Sequence, residues 1–124
     1  MAPGGRVIVP QENYVAHGDT FDPARPLVLW PYTNMSDPRF QWGKIYIQMR
    51  QDCSLSSKQH FGVLNKKGWC AYALNNEIFL KRHSYIPDAE YPDYDSSAEF
   101  FTMPGFAEVE TLSPMTDIAP RGLR

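Results

Sequence analysis

Glu108 and Glu110 are the residues whose type and spacing point most directly to chemistry. Residues two positions apart share one face of an extended strand, so both carboxylates would lie on one face and Ala107 and Val109 on the other. Neighbouring carboxylates raise each other's pKa, and such a group in a cleft can act as a general base. The alternative is an ordinary polar strand face in contact with solvent.

Aromatic and polar side chains elsewhere could hold a sugar. The rings suited to stacking on the apolar face of a sugar are Trp30, Tyr32, Trp42 and Trp69. The groups that could hydrogen-bond hydroxyls or an anionic substituent are Arg39, Lys58, His60 and Lys81. Most aromatic residues of a β-sandwich form its core, so each ring also has a purely structural interpretation.

Other kinds of site are disfavoured. The three histidines are far apart and have no metal-ligand spacing. The acids between residues 88 and 95 lack the glycine turn of the best-known calcium loop. No G-x-S-x-G motif is present to hold a nucleophilic serine. We therefore predict neither a metal nor a cofactor.

Charge, cysteine content and hydropathy narrow the class further. The 124 residues carry a formal net charge of −2, which gives no electrostatic basis for a nucleic-acid partner. Cys70 is predicted to be a buried thiol, and a disulfide with Cys53 stays open. No apolar run approaches the roughly 20 residues of a transmembrane helix, and no secretory leader is visible. We expect a soluble, cytoplasmic chain with no membrane partner.

Short apolar runs separated by turn residues must position these side chains. Residues 44–50 alternate, which predicts that Ile45, Ile47 and Met49 face a core. Residues 27–30 predict a short buried strand closed by a proline. Further strands are predicted at residues 6–9 and 60–64. No helix of ordinary length is predicted.

Two hairpins are predicted in the second half of the chain. Residues 69–74 and 77–82 flank Asn75-Asn76, a pair that tolerates positive φ and therefore favours a two-residue turn. Residues 98–112 form a second hairpin around Pro104-Gly105. Together with the earlier strands, these hairpins predict an all-β fold.

Six or seven short strands in hairpins are typical of an antiparallel sandwich. Few segments remain to cover the sheet edges, so we expect a partial sandwich that could form a homo-oligomer through open edges. Residues 1–25 are poorly patterned, residues 26–120 make up the sandwich portion, and residues 121–124 are a tail.

Three stretches carry a resemblance to a known family. They are LVLWPYTNMSDPR at 27–39, KGWCAYAL with IFLKR at 67–74 and 78–82, and YPDYDSSAEFFT with EVETLSP at 91–102 and 108–114. In this order they resemble an uncharacterised bacterial family of the galactose-mutarotase-like (aldose 1-epimerase-like) superfamily. The resemblance implies a large antiparallel sandwich of supersandwich type with a carbohydrate site on its concave face.

The resemblance also implies residue roles. The catalytic base of aldose 1-epimerases is a glutamate in a Leu-Glu-Thr-Gln-like setting, which corresponds here to Glu110. Their general acid is a histidine two residues before a tyrosine, and Trp30 stands in that place before Tyr32. Strands that the family has before residue 26 and at its end are missing, so the chain is either truncated or completed by another chain.

Three hypotheses follow. The first is a carbohydrate-binding domain without standard mutarotase chemistry. The second is an active epimerase or other carbohydrate-processing enzyme, in which Glu110 is the base and Tyr32, Lys81 or His60 is the acid. The third is a truncated remnant without independent function, which would melt with poor cooperativity.

Overall fold

The apolar runs fold into strands that pair with antiparallel neighbours. The computed structural model describes residues 1–121, which form nine strands and one helical turn. These elements are β1 (Arg6–Pro10), β2 (Leu27–Leu29), β3 (Phe40–Trp42), β4 (Tyr46–Arg50), β5 (Gln59–Val63), β6 (Trp69–Leu74), β7 (Glu77–Arg82), α1 (Pro92–Asp95), β8 (Ala98–Met103) and β9 (Phe106–Thr111). The tail predicted at residues 121–124 lies, beyond residue 121, outside the described residues.

The strands form two sheets that face each other. The five-stranded sheet has the order β3-β4-β1-β6-β7, and the four-stranded sheet has the order β2-β5-β8-β9. Alternate side chains of both sheets point inward and form one core, whose large members are Val7, Val9, Ile47, Met49, Phe61, Val63, Cys70, Tyr72 and Phe100. The predicted all-β antiparallel sandwich is confirmed.

Both predicted hairpins are present. Asn75 and Asn76 have φ values of 51° and 64°, so the β6–β7 turn is of the type in which both central residues are left-handed. In the second hairpin Met103 pairs with Phe106 across the Pro104-Gly105 turn. Cys70 is buried, as predicted, and it and Cys53 are both free thiols.

Three segments differ from their predictions. Residues 27–30 yield only β2, a half-buried strand at the edge of the four-stranded sheet, because one of its sides has no neighbouring strand. Ile47 and Met49 face the core as expected, but Ile45 precedes β4 and is exposed. The strand predicted at residues 6–9 is confirmed as β1, but it lies at the centre of the five-stranded sheet rather than outside the sandwich portion expected at residues 26–120.

A glycine lets the loop before β8 fold closely over the four-stranded sheet. A Cβ placed on Gly62 would overlap Ser96 Oγ and would lie 3.5 Å from Glu99 Cγ. Ser96 is buried there, and its hydroxyl donates a hydrogen bond to the backbone oxygen of Asp93 over 3.0 Å. Gly62 therefore makes the close approach of residues 92–96 possible.

Two features that would indicate a membrane or metal function are absent from the described part of the chain. Within residues 1–121, no helix is long and apolar enough to cross a membrane. Among the same residues, no group of three His, Cys, Asp or Glu side chains is arranged to hold a metal ion.

Candidate functional site

The solvent-side face of the four-stranded sheet brings together an unusual set of titratable and aromatic side chains. Strand pairing sets Glu99 between Gly62 and Glu110, and sets Phe101 between His60 and Glu108. We call this surface the outer face, and it comprises Trp30, Tyr32, His60, Glu99, Phe101, Glu108 and Glu110. Its composition follows from alternation, because the intervening residues of the same strands point into the core.

His60 lies at the centre of the aromatic part of the outer face. The Trp30 ring is stacked on its imidazole, with ring centroids 3.5 Å apart and planes inclined by 16°. Phe101 contacts the imidazole edge-on at 5.7 Å. The Tyr32 hydroxyl lies 3.0 Å from His60 Nδ1. These contacts fix the orientation of the imidazole.

The other imidazole nitrogen of His60 faces a carboxylate. His60 Nε2 lies 3.6 Å from Glu99 Oε2 and is buried without a hydrogen-bond partner among residues 1–121. Burial lowers the pKa of His60, an effect opposed by the negative charges of Glu108 and Asp93. A neutral imidazole that accepts the Tyr32 proton at Nδ1 carries its own proton on Nε2, directed at Glu99.

Glu99 is a buried carboxylate with an unmet hydrogen-bonding need. Its Oε1 is buried and receives no hydrogen bond from a donor group in the described part of the chain. Burial raises the pKa of Glu99 to about 7, and the negative charges of Asp93 and Glu110 add to the increase. The carboxyl of Glu99 therefore holds its proton to a higher pH than an exposed glutamate does.

Glu110 is the cross-strand neighbour of Glu99. Burial raises its pKa, and Glu108 raises it further through a hydrogen bond and its charge, while Lys81 lowers it. The Lys81 ammonium reaches this strand from β7 and donates a hydrogen bond over 3.1 Å to the Val109 oxygen. Lys81 thus supplies the positive charge next to the carboxylate pair.

A strained loop holds Asp93 over Glu99. Asp93, Tyr94 and Asp95 have φ values of 49°, 58° and 66°, so three successive non-glycine residues are left-handed. Each such residue costs on the order of 1 kcal/mol or more, and strain of this kind concentrates at functional sites. The loop is secured by Asp95, whose Oδ1 accepts the Tyr91 backbone N–H over 3.2 Å.

The structure brings together five of the predicted site residues. Four of them lie on the outer face, and Lys81 reaches its border from the other sheet; they are Trp30, Tyr32, His60, Glu110 and Lys81. The alternation predicted for the β9 acids is also observed, because Ala107 is buried while both carboxylates lie on the opposite side.

Arg39 is not available to a ligand, and its predicted binding role is wrong. Its side chain is fully buried and pairs with Asp37 through Nε and Nη2, each at 2.9 Å. Nη2 also donates to the Ser57 oxygen over 2.7 Å. The turn sequence that suggested a sugar-binding arginine instead forms a buried ion pair that fastens two loops together.

The remaining predicted residues lie apart from the outer face. Trp69 is on the solvent side of the five-stranded sheet, where it meets Tyr46 edge-on at 6.1 Å. Trp42 is stacked on Phe40 at 4.6 Å and lines a separate cleft between the sheets. Lys58 is exposed just before β5. None of these three contributes to the group around His60.

Glu99 and Asp93 are the site residues that the sequence analysis missed. A signal for Glu99 was present, because a two-residue turn at Pro104-Gly105 places residue 99 opposite residue 110 by counting along the hairpin. Asp93 had no such signal, since its position over the sheet depends on a loop of unusual backbone geometry.

The outer face combines three chemical capabilities. The Trp30 ring offers an apolar surface, Tyr32 offers a hydroxyl oxygen polarised by His60, and Glu99 and Glu110 offer carboxyl groups with raised pKa values. Such a set can hydrogen-bond a polyhydroxylated ligand and can exchange protons with it. Comparisons with protein-family models, curated proteins and solved structures yield no match for this chain.

Proposed function

We propose that the outer face binds a carbohydrate. The observation that carries the proposal is the direct contact of an aromatic pair, Trp30 on His60, with the buried carboxyl of Glu99. Sugar rings present an apolar C–H face and a rim of hydroxyls, so their sites combine an aromatic surface with convergent polar groups. The resemblance to the galactose-mutarotase-like superfamily supports the same class of ligand.

The charges of the outer face favour a neutral sugar. Glu108 and Glu110 are half-buried on β9, and Asp93 adds a third carboxylate above Glu99. A sugar carboxylate would meet repulsion from all three groups. Hydroxyls, by contrast, can donate to the carboxylates and to the Tyr32 hydroxyl oxygen.

Titration of the protein with a panel of neutral monosaccharides and uronic acids tests binding. We expect millimolar or tighter binding of a neutral sugar, seen as shifts of the Trp30 indole signal in NMR spectra. Trp30→Ala should abolish binding, whereas Trp69→Ala on the other sheet should leave it unchanged. The absence of millimolar binding to every sugar, or equal loss in both variants, would overturn the proposal.

A second candidate is epimerase-like catalysis, favoured by the position of His60. Trp30 stands where the family has its acid, but His60 stacks directly on Trp30 and positions the exposed Tyr32 hydroxyl, which could supply the missing proton. In this reaction Glu110 takes the anomeric hydroxyl proton while the Tyr32 hydroxyl protonates the ring oxygen. The C1–O5 bond then breaks, and the open aldehyde closes again on either face.

Polarimetry on α-glucose and α-galactose tests catalysis separately from binding. Loss of one general acid or base typically lowers a rate by about 10²–10⁴-fold, so we expect such a loss for Glu110→Gln and for Tyr32→Phe. Glu77→Gln, at the exposed start of β7, is the matched control. Equal mutarotation rates in all four proteins would exclude the enzyme while leaving the binding proposal intact.

A further inference from the structure

The four sheet edges of the sandwich are not equally protected. β2 and β3 are edge strands of three residues each, which offer few free backbone groups. On β9, Ala107 exchanges backbone hydrogen bonds with Met1, and Lys81 takes the Val109 oxygen. β7 is six residues long, and its outer side pairs with no strand in residues 1–121.

β7 also carries the most apolar exposed surface of any edge strand. Its three central residues, Ile78, Phe79 and Leu80, are 68%, 49% and 47% exposed. Proteins normally blunt edge strands with short length, proline or inward-pointing charge, because a long apolar edge recruits another strand. β7 contains no proline, and its charged residues, among them the inward-pointing Lys81, lie at its two ends and leave the central three residues apolar.

The hydrogen-bonding pattern of the β6–β7 hairpin decides which backbone groups of β7 are free to pair with another strand. Residues that flank a two-residue hairpin turn exchange hydrogen bonds, and hydrogen-bonded pairs then alternate along the strands. The pairs Leu74–Glu77 and Tyr72–Phe79 are therefore bonded within the hairpin. The N–H and C=O groups of Ile78 and Leu80 point instead to the free edge.

We propose that β7 is the interface of a two-fold symmetric dimer with a second copy of this chain. The two β7 strands pair antiparallel, with Phe79 opposite Phe79 of the partner subunit. Ile78 then lies opposite the partner's Leu80, and Glu77 opposite the partner's Lys81. The two five-stranded sheets become one continuous sheet of ten strands, through an isologous contact of the kind that closes in a dimer.

Charge complementarity selects this register. A two-fold axis normal to the sheet leaves each side chain on the same face in both subunits. Directly opposed residues must therefore point to the same face, and because side chains alternate along a strand, their two residue numbers must add to an even sum. When the two-fold axis passes through Phe79, the interface contains two Glu77–Lys81 ion pairs, two Ile78–Leu80 apolar pairs and one pair of Phe79 rings. Centring on Leu80 would oppose Ile78 to the partner's Arg82 and lose both ion pairs.

The interface leaves the outer face open. Lys81 has three N–H donors, of which its bond to the Val109 oxygen uses one, so it can keep that contact and still meet the partner's Glu77. The dimer is thus independent of the proposed sugar binding, and either can fail without the other.

Sedimentation over a range of concentrations tests the dimer. We expect a reversible monomer–dimer equilibrium that Phe79→Lys weakens by roughly a hundredfold, because two ammonium groups would face each other across the axis. Phe21→Lys, at an exposed site in the loop between β1 and β2, should leave the equilibrium unchanged. Circular dichroism checks that each variant is folded. A monomer at every concentration, or a dimer unaffected by Phe79→Lys, would overturn the proposal.

A charge exchange tests the register. In a dimer of the Glu77→Lys variant, a lysine lies opposite a lysine at two places. In a dimer of the Lys81→Glu variant, a glutamate lies opposite a glutamate at two places, so each substitution should weaken its own dimer by about tenfold. An equal mixture of the two variants restores both ion pairs and should form a heterodimer. Failure of the mixture to associate better than either variant would contradict this register.

Crosslinking gives a second, geometric readout. Directly opposed residues of a non-hydrogen-bonded pair have Cα atoms about 4.5 Å apart, which suits a disulfide. In a Cys53→Ser background, Phe79→Cys should oxidise to a covalent dimer, whereas Tyr94→Cys at a fully exposed site should not. Equal crosslinking of both variants would indicate random collision and overturn the interface.

Discussion

Two buried carboxyl groups in this sandwich, those of Asp37 and Glu99, differ in how many hydrogen bonds the protein donates to them. Around Arg39, the Asp37 carboxylate accepts from Nε, from Nη2 and from the Gln59 amide at distances between 2.9 and 3.0 Å. Around Glu99, one oxygen has no donor within residues 1–121, and the other faces His60 at 3.6 Å. The Asp37 carboxylate thus has its hydrogen-bonding needs met by the protein, although Nη1 of Arg39 has no partner among the same residues, whereas the Glu99 carboxyl leaves its needs for a ligand or a proton.

The contrast extends to the pKa values. The hydrogen bonds from Arg39 lower the pKa of Asp37 against the opposing effect of burial. Burial raises the pKa of Glu99 to about 7, because no cation compensates for the loss of water. Both carboxylates are buried, so the presence of a partner cation, rather than burial, decides which group is structural and which is reactive.

The largest effect is expected for Arg39→Met. Removing one partner of a buried ion pair leaves an uncompensated charge on Asp37, so the free energy of unfolding should fall by about 3–5 kcal/mol. Urea denaturation measures this change. Arg50→Met, which removes an exposed ion pair with Asp52, should cost at most about 1 kcal/mol. Equal losses of unfolding free energy in the two variants would contradict the expectation that the buried Arg39–Asp37 pair matters more to stability than the exposed pair.

An intermediate effect is expected for Gly62→Ala. The new methyl group would push Ser96 and the loop that carries Asp93 away from the sheet, at a cost of about 1–3 kcal/mol. Displacing Asp93 should also lower the pKa of Glu99, which an NMR titration of the carboxyl carbon measures. Gly105→Ala meets no atom within 4 Å and serves as the control. An unchanged titration of Glu99 in Gly62→Ala would contradict the role given to the loop.

The smallest effect is a pH dependence of stability. Since the folded-state pKa of Glu99, about 7, lies above the unfolded value of 4.5, the folded protein holds an extra proton between these values. The free energy of unfolding should therefore fall as the pH rises from about 4.5 to about 7. Urea denaturation across this range should show the decline in the wild type and a flatter profile in Glu99→Gln.

Asp37 should show the opposite slope. Its lowered folded-state pKa means that its contribution is complete above the unfolded value of 3.8 and is lost as the pH falls through the folded value. Asp37→Asn should remove this acid-dependent loss. If both carboxylates gave slopes of the same sign, the distinction between a satisfied and an unsatisfied group would be wrong.

Local pattern was sufficient for the elements that depend on neighbouring residues. The Asn75-Asn76 turn, the β8–β9 hairpin and the alternation of Glu108 and Glu110 were all predictable, because turn chemistry and strand period act over a few residues. The exposed Ile45 shows the limit, since a strand boundary depends on which neighbour is there to pair with it.

The sequence by itself determined that the chain is an antiparallel sandwich and that Glu110 lies on a polar strand face. Only the tertiary structure decided that Arg39 is buried, that His60 stacks on Trp30 and that Glu99 lies beneath Asp93. The physical reason is separation along the chain. His60 and Trp30 meet through the pairing of β2 with β5, and Glu99 meets Asp93 through a loop with three left-handed residues, neither of which leaves a periodic signal.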